Sequence, residues 1–235
     1  MPADDSTNPE LIEFLSQFVS EHKLGLFKKI VRERTRHLTV VLEDLFKSQN
    51  ASACLRNCDC FGIQDVYIVE NRYEFSINDD VALGGAQWLT LHRFHDGDQN
   101  TAACIDFLRG AGYRVLATSP RGEGTNLADV DMEPKTALLF GTELEGLSET
   151  AMQMADGFVR VPQFGFTESY NISVAVALCL YELIGKLRRS PIDWRLSEDD
   201  MVEVHAAWVK QVVGEKLRPL ERRFYEEQAE GEMGR

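Results

Sequence analysis

What the 235-residue chain lacks narrows its class before any motif is read. It has no long apolar run, so no stretch is suited to span a membrane. The first residues are acidic and polar, without the basic start and apolar stretch of a secretory signal, and a cytoplasmic protein is expected. Cysteine is scarce: five residues, an odd number, with no zinc-type pairing to histidine. The thiols therefore read as reduced packing residues, and no metal is expected. There is no internal repeat, and no G-x-G-x-x-G follows the first predicted strand, which disfavours a generic dinucleotide-binding enzyme. Net positive charge is missing as well. A formal charge of −13 argues against a protein whose whole surface grips nucleic acid.

What is present belongs to a globular protein with a real core: 44% hydrophobic and 27% charged residues. Positive charge is concentrated rather than absent. Between Glu21 and His37 lie Lys23, Lys28, Lys29, Arg32, Arg34 and Arg36, opposed by Glu21 and Glu33. A second basic group is Lys186, Arg188, Arg189 and Arg195. Each reads either as a solvated helix face or as a local RNA-binding surface.

In chain order, residues 1–9 read as disordered, and Leu11, Phe14, Leu15 and Phe18 recur at helical spacing. The basic segment to Arg36 continues as helix, with a break expected near Gly25. Strands are expected at 38–42, 66–69, 88–94, 114–118, 137–140 and 158–161. Between them, helices are expected at 51–61, 100–109 and 148–155, with loops at 47–50 and 121–131. A long helix from Asn171 to about Arg189 closes the core, and one or two helices follow Pro191 to about Tyr225. Strands alternating with helices imply an α/β fold with a mainly parallel sheet.

Three segments place polar residues where strands end, which is where open α/β sheets bind ligands. The first carries Asn50 and Arg56. An arginine there offers a planar fork of donors to a phosphate, or is simply a surface arginine. Cys54, Cys58 and Cys60 share its helix as small packing residues. The second runs from Leu138 through Phe140, Gly141, Thr142 and Glu143 to Gly146 and Ser148, where a glycine ending a buried strand permits close backbone approach. The third joins Val161-Pro162 to Ser169, Tyr170 and Asn171, and Asn171 opens a helix of small apolar residues. On its own this strand, loop and capped helix reads as a phosphate or nucleotide cradle or as an ordinary βα unit.

Together and in this order, the three resemble the SpoU, or TrmH, branch of the SPOUT RNA methyltransferases. The first motif matches at Asn50, Arg56, Asp59 and Gly62. The second matches at Phe140-Gly141-Thr142-Glu143 with Gly146-Leu147-Ser148. The third matches at Val161-Pro162 with Ser169 to Ala175, and the likeness spans 38–187. The resemblance implies a deep trefoil knot, rare among proteins, in a methyltransferase domain at 38–190 flanked by helical extensions at 1–37 and 191–235. It implies S-adenosylmethionine as cofactor, a homodimer, and methyl transfer to a ribose 2′-hydroxyl. Cofactor contacts are implied at Thr118, Phe140, Gly141, Val161, Pro162, Ser169, Tyr170 and Asn171. The catalytic set is implied at Arg56, oriented by Asn50 and Glu143 and completed by Ser169 and Asn171.

The flanks resemble those of the family's tRNA guanosine-18 2′-O-methyltransferases, which carry terminal helices rather than a separate RNA-binding domain. The resemblance therefore implies tRNA as partner, with Lys23, Lys28, Lys29, Arg32, Arg34, Arg36 and Arg56 meeting it. The chain departs from those enzymes in its acidic net charge and in Glu198, Asp199 and Asp200. An rRNA target, another tRNA nucleotide and a catalytically silent RNA-binding knot protein are the alternatives.

Overall fold

Leu38–Glu43 (β1) is buried at every position, as a strand covered on both faces must be. Its side chains alternate between two cores. Leu38, Val40 and Leu42 enter one cluster, while Val41 enters the other. Thr136–Phe140 (β6) does the same, with Leu138 and Phe140 on the first face and Ala137 and Leu139 on the second. The structure is a computed structural model and describes residues 7–78, 82, 84–119 and 124–233. Residues 1–6 of the expected disorder at 1–9 and residues 121–123 of the expected loop at 121–131 lie outside the described residues. Asn8 and Pro9, by contrast, already open a helix, and 125–129 form a short strand and a tight helical turn.

The other strands are Asp65–Val69 (β2), Thr90–Phe94 (β3), Arg114–Thr118 (β4), the short Thr125–Asn126 (β5) and Gly157–Arg160 (β7). All pair in parallel, in the order β3-β2-β1-β6-β4-β7-β5. Because the strands are parallel, their carboxyl ends share one edge of the sheet. The order reverses direction between β1 and β6, which opens a crevice at that edge.

Ser48–Cys60 (α3) and Ile172–Arg189 (α6) pack together on one face. Asn100–Gly110 (α4) and Glu149–Met154 (α5) cover the other. Cys54, Cys58, Cys104 and Cys179 are buried free thiols, and burial pushes Cys54, Cys104 and Cys179 up to about 12. They serve as packing residues, whereas Cys60 is exposed. No group of three or more metal-ligating side chains occurs among the described residues. Nor is any helix there long and apolar enough to cross a membrane.

The chain divides into two compact units, Thr35–Trp194 and a second made of the terminal segments up to Arg34 and from Arg195 onward. The terminal segments, expected as helical flanks at 1–37 and 191–235, form one unit. Pro9–Ser16 (α1) starts on Asn8, whose side chain accepts from the Glu10 and Leu11 N–H groups. Its Phe14 ring meets Phe224 of Leu217–Met233 (α8) at 5.5 Å. Glu21–Ile30 (α2) runs unbroken through Gly25, because Phe27 is anchored against Trp208 of Glu198–Val213 (α7). Tertiary packing overrides the roughly 1 kcal/mol helix penalty of glycine, and the break falls instead at residues 17–20. The acidic Glu198, Asp199 and Asp200 have a local structural purpose. They fill the first turn of α7, where Ser197 and Asp200 form a capping box and negative charge opposes the helix dipole.

Two smaller expectations also shift. The segment 47–50, read as loop, already contains the first turn of α3, which puts Asn50 on the helix. The strand expected at 88–94 begins only at Thr90, after a tight helical turn at Gly85–Trp88.

Candidate active site at the carboxyl end of the sheet

β6, β4 and β7 are neighbours, so the loops leaving their carboxyl ends converge. They line a cleft of about 440 Å³, within the roughly 300–1,000 Å³ of small-molecule sites. Of the expected cofactor residues, Thr118, Phe140, Gly141, Val161, Ser169 and Tyr170 line it. Pro162 and Asn171 do not. The Thr118 hydroxyl donates to the Leu139 carbonyl at 2.7 Å, tying the end of β4 to β6 at the cleft wall.

The wall after β6 is a closed loop. Thr142 and Gly146 exchange backbone hydrogen bonds at 2.9 and 3.1 Å, and Gly146 takes the positive φ of 75° that the turn needs. A side chain on Gly141 would run into the Gly146 carbonyl, so only glycine fits beneath this loop. The loop is continued by Ser148, the N-cap of α5, whose N–H and hydroxyl donate to the buried Glu43 carboxylate at 2.8 and 2.7 Å. Glu43, at the end of β1, was not singled out in the sequence; its only signal was a carboxylate directly after the expected strand 38–42.

At the rim, side chains from all three motifs meet. Asn171 uses its Oδ1 to cap α6 through the Ser173 N–H, and its Nδ2 donates to both Asn50 Oδ1, at 3.1 Å, and Glu143. Lys47 donates to Glu143 at 3.0 Å. The Asn50 side chain and the Ile172 N–H also lie close enough to favour the charged form of Glu143. The Lys47 hydrogen bond, reinforced by these donors, holds the Glu143 carboxyl below the usual carboxylate range. Such a group is an ionised acceptor that orients amides, and a poor proton carrier near neutral pH. Asn57, beside Arg56, ties α3 to α6 by donating to the Ser173 carbonyl at 2.8 Å. Lys47 and Asn57 were both missed in the sequence, since lone polar residues beside a motif carry no period.

Arg56 is exposed and makes no hydrogen bond or ion pair among the described residues. The expected orientation by Asn50 and Glu143 is not what the structure holds: those groups bond to Asn171 and Lys47 instead. Ser169 lines the cleft and is exposed. Among the expected RNA-facing residues, Lys28, Lys29 and Arg32 are exposed and Lys23 is half-buried. Arg34 is a correction. It is 2% exposed with its guanidinium 5.3 Å over the Trp208 ring, out of reach of a phosphate. Arg36 is committed as well, donating to Asp65 at 2.7 Å.

The SpoU rRNA Methylase family matches this chain over residues 37–181. A tRNA (guanosine(18)-2′-O)-methyltransferase of Borreliella burgdorferi is 41% identical over 202 residues, 86% of this chain and 91% of that protein. One of the same name from Thermus thermophilus is 36% identical over 163 residues, 69% of this chain and 82% of that protein. The crystal structure of an Aquifex aeolicus TrmH/SpoU tRNA modifying enzyme superposes with a TM-score of 0.70 at 26% identity. That superposition covers 82% of this chain and 98% of the other.

Proposed function

The chain belongs to the SpoU rRNA methylase family, and on that premise we propose that it transfers a methyl group from S-adenosylmethionine to the 2′-hydroxyl of guanosine 18 in tRNA. The observation that carries this reading is the junction of the Asn50–Glu143–Asn171 cluster with the three-loop cleft. The names of the relatives at 41% and 36% identity support guanosine 18 as the target.

The residues present fit the cofactor. The cleft is of suitable size and is lined by the loops after three strands, one of them held closed by the packing of the Gly146 carbonyl over Gly141. Thr118, Phe140, Gly141, Val161, Ser169 and Tyr170, which line the cleft, would hold it. When bound, S-adenosylmethionine supplies an electrophilic methyl on a sulfonium, chemistry that needs in-line positioning and no metal. The protein's contribution is to place and polarise the 2′-oxygen. Arg56, a planar guanidinium with its donors uncommitted among the described residues, clamps the RNA phosphate and polarises the hydroxyl. Glu143 stays ionised and fixes the Asn171 amide, while Asn50 and Ser169 complete the wall.

The same reading carries the deep trefoil knot. In support of it, β6 inserts between β1 and β4, and α6 returns from β7 to pack beside α3. It carries a cytoplasmic homodimer, supported by the apolar stripe Val174, Leu178 and Tyr181 on the outer face of α6, exposed by 44%, 37% and 71%. Domain limits of 38–190 with flanks at 1–37 and 191–235 belong to it too. Lys23, Lys28, Lys29 and Arg32 would dock the RNA electrostatically.

The deciding experiment incubates the protein with S-adenosylmethionine and an unmodified tRNA transcript and maps ribose methylation by mass spectrometry. A 2′-O-methyl group at guanosine 18 is expected. Methylation at another nucleotide, or only of rRNA, would overturn the assigned target. Cofactor binding without transfer to any RNA would support the silent knot protein.

A further inference from the structure

A second, smaller hollow of about 120 Å³ shares the wall Thr142–Glu145 with the main cleft. Lys47 and Asn50 stand on its other side, together with two aromatic rings, Phe46 and Tyr73. Phe46 is 67% exposed and Tyr73 38%, and their ring centroids lie 5.1 Å apart at a tilt of 58°. Two water-facing rings beside a polar cluster differ from singly scattered apolar residues, which need no explanation.

The platform is held in place. Asp44, in the left-handed region at φ 52°, accepts the N–H groups of Asn71 and Arg72 at 2.7 and 2.9 Å. Glu70 accepts the Phe75 N–H at 2.7 Å, so the segment carrying Tyr73 is anchored at both ends. The Arg72 guanidinium lies 5.6 Å over the Tyr73 ring and also pairs with Glu145 on the shared wall.

We propose that this hollow receives the base of the nucleotide whose ribose is methylated, with Phe46 and Tyr73 as its stacking platform; this rests on the functional reading above. Methyl donor and 2′-oxygen must meet in line, so the ribose sits at the wall common to both clefts. The base is attached to the sugar carbon next to the one bearing the 2′-hydroxyl. With the cofactor filling the large cleft, the base leaves the shared wall toward the small one. A hollow of this size suits a flat ring rather than a whole nucleoside, and unpaired bases are held by stacking on aromatic side chains. Lys47 and Asn50, at the boundary, face the sugar and the base edge.

The test couples each ring to the base. Single-turnover methyl transfer is measured on a tRNA transcript with guanosine 18 and on one with an abasic ribose, 2′-hydroxyl intact, at that position. The wild type should favour the guanosine transcript by roughly 10- to 100-fold, the range of aromatic–base stacking. Phe46→Ala and Tyr73→Ala should each lose about that factor on guanosine and less than about twofold on the abasic transcript. Tyr73→Phe, which keeps the ring, should behave as wild type, and cofactor affinity by calorimetry should not change in any variant. Equal losses on both transcripts, or no loss on guanosine, would overturn the proposal. A wild type that methylates no tRNA would overturn the functional reading, and this inference with it.

Discussion

At the end of the sheet, Glu143 is gripped by Lys47, Asn50 and Asn171, and Gly141 is closed over by the Gly146 carbonyl. In the terminal unit, Lys28, Lys29 and Arg32 stand in water with no side-chain hydrogen bond or ion pair among the described residues. That unit is held by rings instead, Phe27 against Trp208 and Phe14 against Phe224. On the proposed function, the difference follows from what each region is asked to do. Methyl transfer tolerates little error in position, so its groups are locked by several bonds each. Drawing in a polyanion needs charge of the right sign at the right face, and long mobile side chains suffice.

The comparison would break most visibly at Gly141. Gly141→Ala places a methyl group against the Gly146 carbonyl, so either the loop opens or the strand end shifts. A destabilisation of roughly 3 kcal/mol by chemical denaturation is expected, with cofactor affinity by calorimetry reduced at least about 100-fold, near that same energy. Retained affinity would show that the cleft does not depend on this close approach.

Arg56→Ala removes an exposed side chain with no partner among the described residues, so stability should change by less than about 0.5 kcal/mol. Turnover should nevertheless fall about 100- to 1,000-fold, as when a charge-stabilising donor is lost, with cofactor affinity intact. Arg56→Lys should not restore it, since a point charge cannot reproduce the planar fork. Near wild-type turnover in Arg56→Ala would remove this residue from the chemistry.

How much of this was legible beforehand differs between the same two regions. The buried strands announce themselves as apolar runs, and the site motifs sit where those strands end, so the cleft could be placed there. The roles of Asn50 and Asn171 entered through the family resemblance, and their pairing was not foreseen. Lys47 and Glu43 could not, because their importance lies in partners about a hundred residues away, Glu143 and Ser148. Arg34 misled for a related reason. A basic residue within a basic run reads as surface, and nothing local says that Trp208 will fold over it. Gly25 misled because an intrinsic propensity gave way to the anchoring of Phe27.

Glu143→Gln sharpens the contrast at intermediate cost. The amide keeps the shape but leaves Lys47 unpaired and the Asn171 amide less firmly oriented, and turnover should fall roughly tenfold. The pH signs can be worked out. The folded carboxyl is held below its unfolded value of about 4.3, so its stabilisation is complete above that pH and is lost as pH falls through the lower folded value. The wild type should therefore show no inflection from this group in its pH–rate profile between about pH 6 and 9. Its acid-side loss of stability should be partly absent in Glu143→Gln. An inflection near neutrality that vanished in the variant would make Glu143 a proton carrier after all.

The smallest effect is expected where charge is least constrained. Lys28 and Lys29 occupy the last turn of α2, where positive charge also favours the helix dipole, so a purely structural role is a real competitor to docking. The two roles separate by salt dependence. If both lysines meet phosphates, Lys28→Ala with Lys29→Ala should weaken tRNA binding roughly tenfold near 0.1 M salt and lower the slope of log affinity against log salt by about 2. Cofactor affinity and single-turnover rate at saturating tRNA should be unchanged. An unaltered slope with a lowered melting temperature would mean that these charges serve the helix alone. The RNA-facing surface would then have to be sought elsewhere, beginning with Arg188 and Arg189, the exposed basic pair at the end of α6.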